Sequence, residues 1–479
     1  MTRRTKIVAT VGPASDSSEV LKALIAAGVN VFRLNFSHGD AKHHVTVTKR
    51  IRAAAEELSQ QVGILADLQG PKIRIAGFAE KSVRLSLGQS FVLDLDLGAN
   101  AGTTTSVGLD YAELRNYVEK NDTLLLDDGR IQLIVDTVTS RSIECKVSVA
   151  GVLGSHKGIN KLGGGIAAPA LTAKDRRDIV ALSEVKPDFV AISFVSSAED
   201  IHLTRRLLKE QDLNPSIIAK IERAEVVADE TLIDDILTHS DGIMVARGDL
   251  GVEVGDAELI GIQKHLIRRA RQLDRLVITA TQMMESMIEN PMPTRAEVFD
   301  VANAVLDGTD AVMLSAETAV GRYPIEVVKA MASTCLGAEK HPTARTSRYR
   351  IDRKFSRPDE SIAMAAIYAA NHSPYIRGIL CMTESGRTPL LMSRLSSGLP
   401  IFALSGQAKT LGKLCLCRGV IPLHFEQDTR AHATLQSEAL NFLRDSGYCE
   451  AGQSILLTYG DVLGSSGHTN TMKILTLEA

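Results

Sequence analysis

Ile217-Ile218-Ala219-Lys220-Ile221-Glu222 is an apolar run that ends in charged side chains, and the first two-thirds of the chain repeat this pattern. Eight such runs, each about the length of a strand, occupy residues 6–11, 29–34, 63–66, 189–192, 217–219, 243–246, 276–279 and 311–314. Most of them are followed by a stretch with helical periodicity, which is typical of a repeated β-strand and α-helix unit. Eight such units predict a closed parallel (β/α)8 barrel, the TIM barrel.

The residues at the ends of these runs are of the types that bind phosphate, carboxylate or metal. They are Arg33, Asn35, Ser37, Asp67, Ser193, Lys220, Glu222, Arg247, Asp249, Thr281, Ser315 and Glu317. Barrel enzymes carry their chemistry at the C-terminal ends of the strands. The pattern therefore predicts an active site at the mouth of the barrel.

The connection after the third run is too long for a loop. Residues 71–168 contain alternating segments separated by Gly, Asn and Asp turns, which is typical of antiparallel strands. We interpret this stretch as an inserted antiparallel β domain that can close over the barrel mouth as a lid. Residues 1–70 and 169–340 then form the barrel catalytic domain.

A polar linker, residues 341–358, follows the barrel. Residues 359–479 begin with a helical stretch and then alternate apolar runs with helical segments. About five strands in an open α/β sheet account for this C-terminal domain.

The composition favours a protein that acts on small molecules. The formal net charge of −3 leaves no basic excess for binding nucleic acid or an anionic membrane. No stretch approaches the roughly 20 apolar residues that span a bilayer, and the first residues lack a signal-peptide core. The six cysteines are sparse and are not spaced as zinc ligands. We expect a cytoplasmic protein with reduced thiols.

Lys220 and Glu222 lie two residues apart on one predicted strand, so their side chains point to the same side. The next strand ends at Gly248 and Asp249, where the glycine lets a ligand approach the backbone and the aspartate adds a second carboxylate. Two carboxylates predict a hard divalent cation, Mg²⁺ or Mn²⁺, which would also hold a substrate phosphate. Structural ion pairs are the alternative for any one of these residues.

Six motifs resemble those of the pyruvate kinase family. They are RLNFSHG at 33–39, DLQGPKIR at 67–74, IAKIE at 218–222, MVARGDLG at 244–251, TATQM at 279–283 and PTRAE at 293–297. The resemblance extends from Lys6 to the last strand and includes the order of barrel, lid, barrel and C-terminal domain. It implies transfer of the phosphoryl group of phosphoenolpyruvate to ADP, giving pyruvate and ATP, the last step of glycolysis. It also implies a homotetramer.

The resemblance assigns roles to the residues at the barrel mouth. Its catalytic residues are Arg33, Lys220 and Thr281, and its substrate-binding residues are Arg33, Ser193, Lys220, Gly248, Asp249 and Thr281. Glu222 and Asp249 would hold Mg²⁺ or Mn²⁺, while Arg74 and Lys157 would meet the nucleotide phosphates when the lid closes. The proton donor to the enolate stays open between Thr281 with a water molecule and the pair Ser315 and Glu317.

A monovalent-cation pocket follows from the same resemblance. Asn35, Ser37 and Asp67 would form it, and Lys72 stands where the K⁺-dependent members carry glutamate. Because Lys72 brings its own ammonium into the site, we expect the enzyme to work without K⁺.

A second phosphate site is indicated in the C-terminal domain. Its loop, TESGRT at residues 383–388, follows a predicted strand and opens a helix, so backbone N–H groups and hydroxyls would converge on an anion. An ordinary capped turn is the alternative. By resemblance the loop binds an allosteric sugar phosphate through Thr383, Ser385, Gly386, Arg387 and Thr388.

The later loop, residues 460–467, bears on the identity of this effector. It contains Asp461 but neither Lys nor Arg, so a second phosphate there would be repelled. We therefore expect a monophosphate, either a hexose or pentose phosphate or AMP, and not a bisphosphate.

Two other readings compete with this one. A metal-dependent aldolase or mutase acting on pyruvate or phosphoenolpyruvate would use a similar barrel mouth, but it accounts for neither the lid nor the C-terminal domain. A non-enzymatic scaffold would have lost members of the charged set, and all of them are present: Arg33, Asp67, Lys220, Glu222, Asp249 and Thr281.

Overall fold

The computed structural model describes residues 2–166, 168–346, 350, 352–426, 432–461 and 467–478. In chain order the strands are β1 (Lys6–Thr10), β2 (Val31–Asn35), β3 (Gly63–Asp67), β4 (Ser82–Leu85), β5 (Ser90–Asp94), β6 (Ser106–Gly108), β7 (Thr123–Leu126), β8 (Ile131–Val138), β9 (Ser142–Val149), β10 (Gly151–Gly154), β11 (Ile159–Lys161), β12 (Phe189–Ile192), β13 (Ser216–Ile221), β14 (Gly242–Ala246), β15 (Leu276–Ala280), β16 (Ala311–Leu314), β17 (Ile376–Met382), β18 (Ile401–Ser405), β19 (Val420–His424), β20 (Ser454–Tyr459) and β21 (Thr471–Thr476).

The helices pack around and between these strands. They are α1 (Ser18–Ala27), α2 (Ala41–Glu57), α3 (Ala173–Val185), α4 (Ala198–Lys209), α5 (Ala224–Ala228), α6 (Glu230–His239), α7 (Arg247–Val254), α8 (Asp256–Gln272), α9 (Arg295–Asp307), α10 (Ala316–Ala319), α11 (Pro324–Ala338), α12 (Pro342–Arg345), α13 (Pro358–His372), α14 (Arg387–Ser393), α15 (Ala408–Leu414) and α16 (His432–Asp445). Short 3₁₀ helices span Ala112–Asn116 and Glu285–Ile288.

Eight parallel strands close into a barrel in the order β1-β16-β15-β14-β13-β12-β3-β2, which confirms the predicted fold class. Successive residues of a strand point to opposite faces, so each barrel strand is apolar on both. Ile7 and Ala9 of β1 pack outward against the helices, whereas Val8 packs with Val31 and Leu65 in another buried cluster. Because both faces of each strand are buried, the sequences of the eight strands are continuous apolar runs.

The second barrel strand begins later than its apolar run predicts. Gly28 caps α1 in a left-handed conformation with a φ of 113°, and its N–H bonds to the carbonyl oxygens of Leu24 and Ile25. The N–H of Val29 also bonds to the carbonyl oxygen of Leu24. Val29 therefore belongs to the turn that ends the helix, and pairing in the barrel starts at Val31.

The segment inserted between β3 and α3 is a β structure with its own core. One sheet has the order β11-β7-β8-β9-β5-β6, and β10 pairs with β4 in a small second sheet. The pairing is mostly antiparallel, as predicted, but β5 and β6 run parallel. The alternation of apolar and polar residues could not predict this parallel pair. It indicates which side chains of a strand are buried, but not the direction in which the neighbouring strand runs.

The C-terminal sheet has the order β19-β18-β17-β20-β21, with β21 alone antiparallel. The C-terminal domain contacts the barrel at the N-terminal ends of the barrel strands. There the guanidinium of Arg394, at the end of α14, donates to both carboxylate oxygens of Asp310, the residue before β16. The lid lies at the opposite end. No helix in the described ranges is long and apolar enough to cross a membrane.

Candidate active site

The ammonium of Lys220 lies at the centre of a polar cluster formed by the ends of β3, β12 and β13. Its Nζ is 2.9 Å from Glu222 Oε1 and 3.5 Å from Asp67 Oδ1. It also donates a 2.7 Å hydrogen bond to Ser193 Oγ, which itself donates to the carbonyl oxygen of Leu68. These contacts bring together four residues that the sequence analysis placed at strand ends.

Arg33 completes the cationic side of this cluster. Its Nε donates a 2.6 Å hydrogen bond to Asp67 Oδ2, and its Nη1 donates to Thr10 Oγ1 at 3.0 Å. Burial opposes ionisation of Asp67, but Lys220 and Arg33 outweigh it and hold the pKa of Asp67 below its usual value. Burial likewise opposes the charge of Lys220, yet the carboxylates of Asp67 and Glu222 raise its pKa above the ordinary value. The two carboxylates therefore favour the charged, ammonium form of Lys220.

Glu222 is fully buried and only partly satisfied. Its Oε2 accepts a 2.7 Å hydrogen bond from the N–H of Phe194. Its Oε1, like Asp67 Oδ1, has no hydrogen-bond partner among the described residues despite the nearby ammonium. Burial raises the pKa of Glu222, and the charge of Asp249 adds to this effect. A buried carboxylate oxygen without a hydrogen bond is unfavourable, and a cation would satisfy it.

The metal set predicted from sequence consists of two carboxylates. Asp249 lies in the first turn of α7 and its side chain is about a quarter exposed, whereas Glu222 is fully buried beside Lys220. Within the described ranges no group of three or more His, Cys, Asp or Glu side chains could hold a metal ion. These residues fit Mg²⁺ or Mn²⁺, because such ions are commonly held by one or two carboxylates together with water and substrate oxygens.

Gly248 and Thr281 form the neighbouring part of the site. The N–H of Gly248 donates a 2.8 Å hydrogen bond to Thr281 Oγ1, which donates to the carbonyl oxygen of Ala280. Thr281 has a φ of +67°, an unusual conformation for a β-branched residue and one that concentrates at functional sites. Arg247 holds this geometry, since it donates to the carbonyl oxygen of Thr281 and pairs with Asp300, each at 2.7 Å. From its sequence position Arg247 is only one of the strand-end candidates, and its contacts identify it as a residue that positions Thr281.

Lys72 lies beside Asp249 at the barrel mouth. Its Nζ is 3.8 Å from Asp249 Oδ1, and no contact described here joins it to Asn35, Ser37 or Asp67. Asn35 Oδ1 accepts a hydrogen bond from the N–H of Ser37 at 3.1 Å. The structure thus brings an ammonium to the mouth but pairs it with Asp249.

A cleft of about 590 Å³ separates the lid from the barrel mouth. Gly248, Asp249 and Thr281 line one side of it, together with Ser315 and Glu317. The N–H of Ser315 donates a 2.6 Å hydrogen bond to Glu317 Oε2, and burial raises the pKa of Glu317. Ser315, Glu317 and Thr281, the candidate proton donors, therefore all border the cleft.

The two residues predicted to meet nucleotide phosphates are held within the lid. The Nη1 of Arg74 donates to the carbonyl oxygen of His156 at 3.0 Å, and Lys157 Nζ is 2.7 Å from Asp127 Oδ1. Neither lines the cleft, which on the lid side is bordered by other polar residues, Asp128, Arg130 and Gln132. The sequence did not indicate Asp128, Arg130 and Gln132 as site residues. A polar turn next to a strand predicts that the turn is exposed to solvent, but not which part of the protein it faces.

The loop at 383–388 follows β17 and opens α14, as predicted. The N–H of Gly386 donates to Thr383 Oγ1 at 3.0 Å, and the hydroxyls of Thr388 and Thr469 are 2.7 Å apart. Arg387 pairs at 2.8 Å with Asp359, whose side chain is fully buried. The loop therefore has its own internal bonds, which an anion would have to share or displace.

The later loop lies largely outside the described residues, since 462–466 are not described. At its end, Nη2 of Arg357 is 2.9 Å from where a Cβ on Gly467 would lie. Arg357 also pairs with Asp359 at 3.0 Å. A cation from a distant segment thus borders this loop, which the loop's own sequence could not reveal.

The chain matches two family models and many known proteins. A model described as pyruvate kinase, barrel domain, matches residues 2–328, and one described as pyruvate kinase, alpha/beta domain, matches residues 360–475. Pyruvate kinase II of Salmonella typhimurium is 55% identical over 477 residues, covering 99% of both chains. Pyruvate kinase of Haemophilus influenzae is 53% identical over 476 residues, again covering 99% of both. Pyruvate kinase 2 of Synechocystis is 40% identical over the whole chain and 80% of its own length.

Proposed function

The chain belongs to the pyruvate kinase family and transfers the phosphoryl group of phosphoenolpyruvate to ADP in the last step of glycolysis, and from this premise we propose how its residues share the reaction. The observation that carries the proposal is the cluster of two largely buried cations, Arg33 and Lys220, around the fully buried carboxylates of Asp67 and Glu222. Transfer places negative charge on the moving phosphoryl group and on the enolate left behind. Fixed cations in a water-poor site stabilise that charge, and we assign this role to Lys220 and Arg33.

The substrate carboxylate is bound by the backbone of Gly248 and Asp249 and by the hydroxyl of Thr281. The bond between Gly248 N–H and Thr281 Oγ1 supports this assignment, because a carboxylate oxygen entering there can replace it with a charge-assisted hydrogen bond. Ser193, held by Lys220, contributes a further hydroxyl to substrate binding.

The family uses a divalent cation, and we assign it to Glu222 and Asp249. The buried Oε1 of Glu222 supports the assignment, because it accepts no hydrogen bond among the described residues and has the ammonium of Lys220 as its ion-pair partner. When bound, Mg²⁺ or Mn²⁺ would neutralise charge on the substrate phosphate. We further propose that the ammonium of Lys72, 3.8 Å from Asp249 Oδ1, substitutes for the charge of a monovalent cation in the pocket of Asn35, Ser37 and Asp67, so that the enzyme does not require K⁺.

Arg74 and Lys157 contact the nucleotide phosphates of ADP or ATP once the lid closes. The ion pair of Lys157 with Asp127 leaves the lysine side chain 41% exposed, and exposed pairs contribute little, so a phosphate can replace the aspartate.

An allosteric phosphate site at 383–388 is also proposed, with Thr383, Ser385, Gly386, Arg387 and Thr388 as ligands. The effector is a monophosphate, a sugar phosphate or AMP. Arg357 beside Gly467 weighs against this choice, because it supplies a cation that the later loop lacks. Activation by fructose bisphosphate at a lower concentration than by any monophosphate would contradict the proposal, as would activation that survives Ser385→Glu.

The remaining assignments follow the family. The barrel domain comprises residues 1–70 and 169–340, the lid 71–168, the linker 341–358 and the effector-binding domain 359–479. The enzyme is a cytoplasmic homotetramer. Exposed apolar side chains on α8 and α9, including Ile260 and Phe299, support the assembly.

The activity is tested by pyruvate release from phosphoenolpyruvate with ADP and the divalent cation omitted in turn. A kinase requires both. Pyruvate release that is independent of ADP would indicate the metal-dependent aldolase or mutase. The full-length similarity to proteins named pyruvate kinase favours the kinase.

A further inference from the structure

Arg130 is placed on the cleft side of the lid by a tightly turned hairpin between β7 and β8. The three residues before it, Asp127, Asp128 and Gly129, have φ values of 52°, 57° and 83°. Ile131 and Leu133 of β8 are buried in the lid core. Arg130 lies in the turn directly before that strand, where its side chain is exposed, and it borders the cleft.

The hairpin tip is held in position by several contacts. The N–H of Asp127 donates to the carbonyl oxygen of Gly158 at 3.1 Å, and the N–H of Arg130 donates to that of Asp127 at 3.2 Å. The carboxylate of Asp127 pairs with Lys157 at 2.7 Å. Lys157 does not line the cleft, whereas Arg130 does.

The charges around the cleft make this position significant. The described residues that line it include five carboxylates: Asp128, Asp249, Asp256, Glu285 and Glu317. Lys72 and Arg130 are the cations of that same lining, and Lys72 is 3.8 Å from Asp249. For the guanidinium of Arg130, by contrast, the described contacts include neither a hydrogen bond nor an ion pair. Its charge is therefore available to a ligand in the cleft.

We propose that Arg130 binds the diphosphate of ADP as the nucleotide enters between the lid and the barrel mouth. ADP carries several negative charges into a cleft whose charged side chains are mostly carboxylates, so it needs a cation that is not already paired. A guanidinium suits this role because it offers two parallel donors to phosphate oxygens. Arg130 thus determines nucleotide affinity in addition to Arg74 and Lys157, and the phosphoenolpyruvate pocket around Lys220 does not depend on it.

The test compares Arg130→Ala and Arg130→Lys with the wild-type enzyme, measuring KM for each substrate at saturating concentrations of the other. Losing a hydrogen bond to a charged group typically corresponds to about a tenfold or larger change in affinity. We expect KM for ADP to rise by about tenfold or more in Arg130→Ala, with a smaller rise in Arg130→Lys. KM for phosphoenolpyruvate should be unchanged. Arg84→Ala is the matched control, since Arg84 is an exposed lid arginine on β4 that does not line the cleft.

Two results would overturn the proposal. One is an unchanged KM for ADP in Arg130→Ala. The other is an equal rise in both KM values that Glu285→Gln reproduces, which would mean that Arg130 docks the lid on the barrel. If the alanine variant melts at a lower temperature than Arg84→Ala, Arg130→Lys decides the question, because it keeps the charge and the length of the side chain. If Arg130→Lys leaves KM for ADP unchanged and raises KM for phosphoenolpyruvate, Arg130 does not bind the nucleotide.

Discussion

At the scale of single residues, the proposed chemistry depends on the positive charge of Lys220. The carboxylates of Asp67 and Glu222 keep the charge on Lys220 despite its burial. Lys220→Met should therefore fold but transfer phosphoryl groups on the order of a hundred to a thousand times more slowly, since one fixed donor to developing charge is lost. Substrate binding should change much less. Turnover at saturating substrates checks this, with Lys209→Met on exposed α4 as control. A variant that retained most of its turnover would remove Lys220 from the chemical step.

Glu222 and Asp249 should be distinguishable from the catalytic cations by their response to metal. Glu222→Gln and Asp249→Asn each remove one charged oxygen ligand from a hard cation. We expect the half-saturating concentration of Mg²⁺ or Mn²⁺ to rise in both variants, and excess metal to restore part of the activity. Glu289→Gln, an exposed carboxylate outside the cleft, is the control. An unchanged metal titration in both site variants would locate the ion elsewhere.

Lys72 leads to a prediction about monovalent cations. Lys72→Glu replaces an ammonium near Asp249 by a carboxylate, so the mouth then needs a bound cation to balance its charge. The variant should require K⁺, whereas the wild type should work in buffer free of Na⁺ and K⁺ at constant ionic strength. Lys81→Glu on the lid should leave the response to KCl unchanged. Strong stimulation of the wild type by KCl, or a Lys72→Glu variant indifferent to it, would contradict the assignment.

At the scale of elements, the segment that returns from the lid to the barrel is held by charged groups. Gly163, Gly164 and Gly165 all have positive φ, and the N–H of Gly163 donates to the carbonyl oxygen of Glu253 on α7. A Cβ on Gly164 would lie 2.5 Å from Glu225 Oε2 and 3.1 Å from Glu253 Oε2. The glycines therefore let the backbone pass close to two carboxylates, which no side chain at that position could do.

Glu253 makes this hinge sensitive to pH. Burial raises its pKa to about 7, and Glu225 adds to the shift, while the N–H of Ala224, Arg223 and Asn160 oppose it. Between about pH 4.3 and pH 7, Glu253 loses its proton in the unfolded chain but keeps it in the folded chain. Rising pH across this range therefore lowers the free energy of unfolding by about 1.4 kcal/mol for each unit of difference between the two pKa values. Above about pH 7 the effect is constant.

Glu253→Gln removes this titration and keeps an oxygen acceptor for Ala224. Its melting temperature relative to the wild type should therefore increase from about pH 5 to about pH 8. Glu258→Gln, on the exposed face of α8, should show no such trend. A difference from the wild type that does not vary with pH would mean that Glu253 is ionised in the folded protein.

The elements also show which parts of the site the sequence could predict. Lys220 and Glu222 were predicted to act together because alternation along one strand is a local rule. A second local pattern is the spacing of Thr294 and Glu297, which is typical of a capping box and forms one in the structure. Glu297 additionally accepts hydrogen bonds from Ser286, which follows the cleft residue Glu285. Arg130 was missed because its direction depends on a hairpin and on the lid position, which are set by contacts between distant segments.

At the scale of the whole molecule, the barrel carries the lid at one end and the C-terminal domain at the other. Arg394, at the end of α14, is fully buried and pairs with Asp310, the residue before β16. The two charges lie 84 residues apart in the chain, so no periodicity could join them. One helix thus extends from the loop at 383–388 to a strand that leads to Ser315 and Glu317. Domain order could be read from the sequence, but this connection required the structure.

The proposed homotetramer leads to the last prediction. Phe299 on α9 is 68% exposed, Leu306 seven residues later on the same face is 41% exposed, and nearby Met292 is 75% exposed. In an isologous contact the same patch of both subunits is buried. Burying one large apolar side chain stabilises the associated state by roughly 1.5 to 3 kcal/mol. Phe299→Glu places a charge in that contact, so the sedimentation mass should fall below that of a tetramer at concentrations where the wild type stays assembled. Leu87→Glu, an equally exposed apolar residue on the lid, should leave the mass unchanged. If Phe299→Glu sediments like the wild type, α9 is not the subunit contact, and the exposed apolar face of this helix needs another partner.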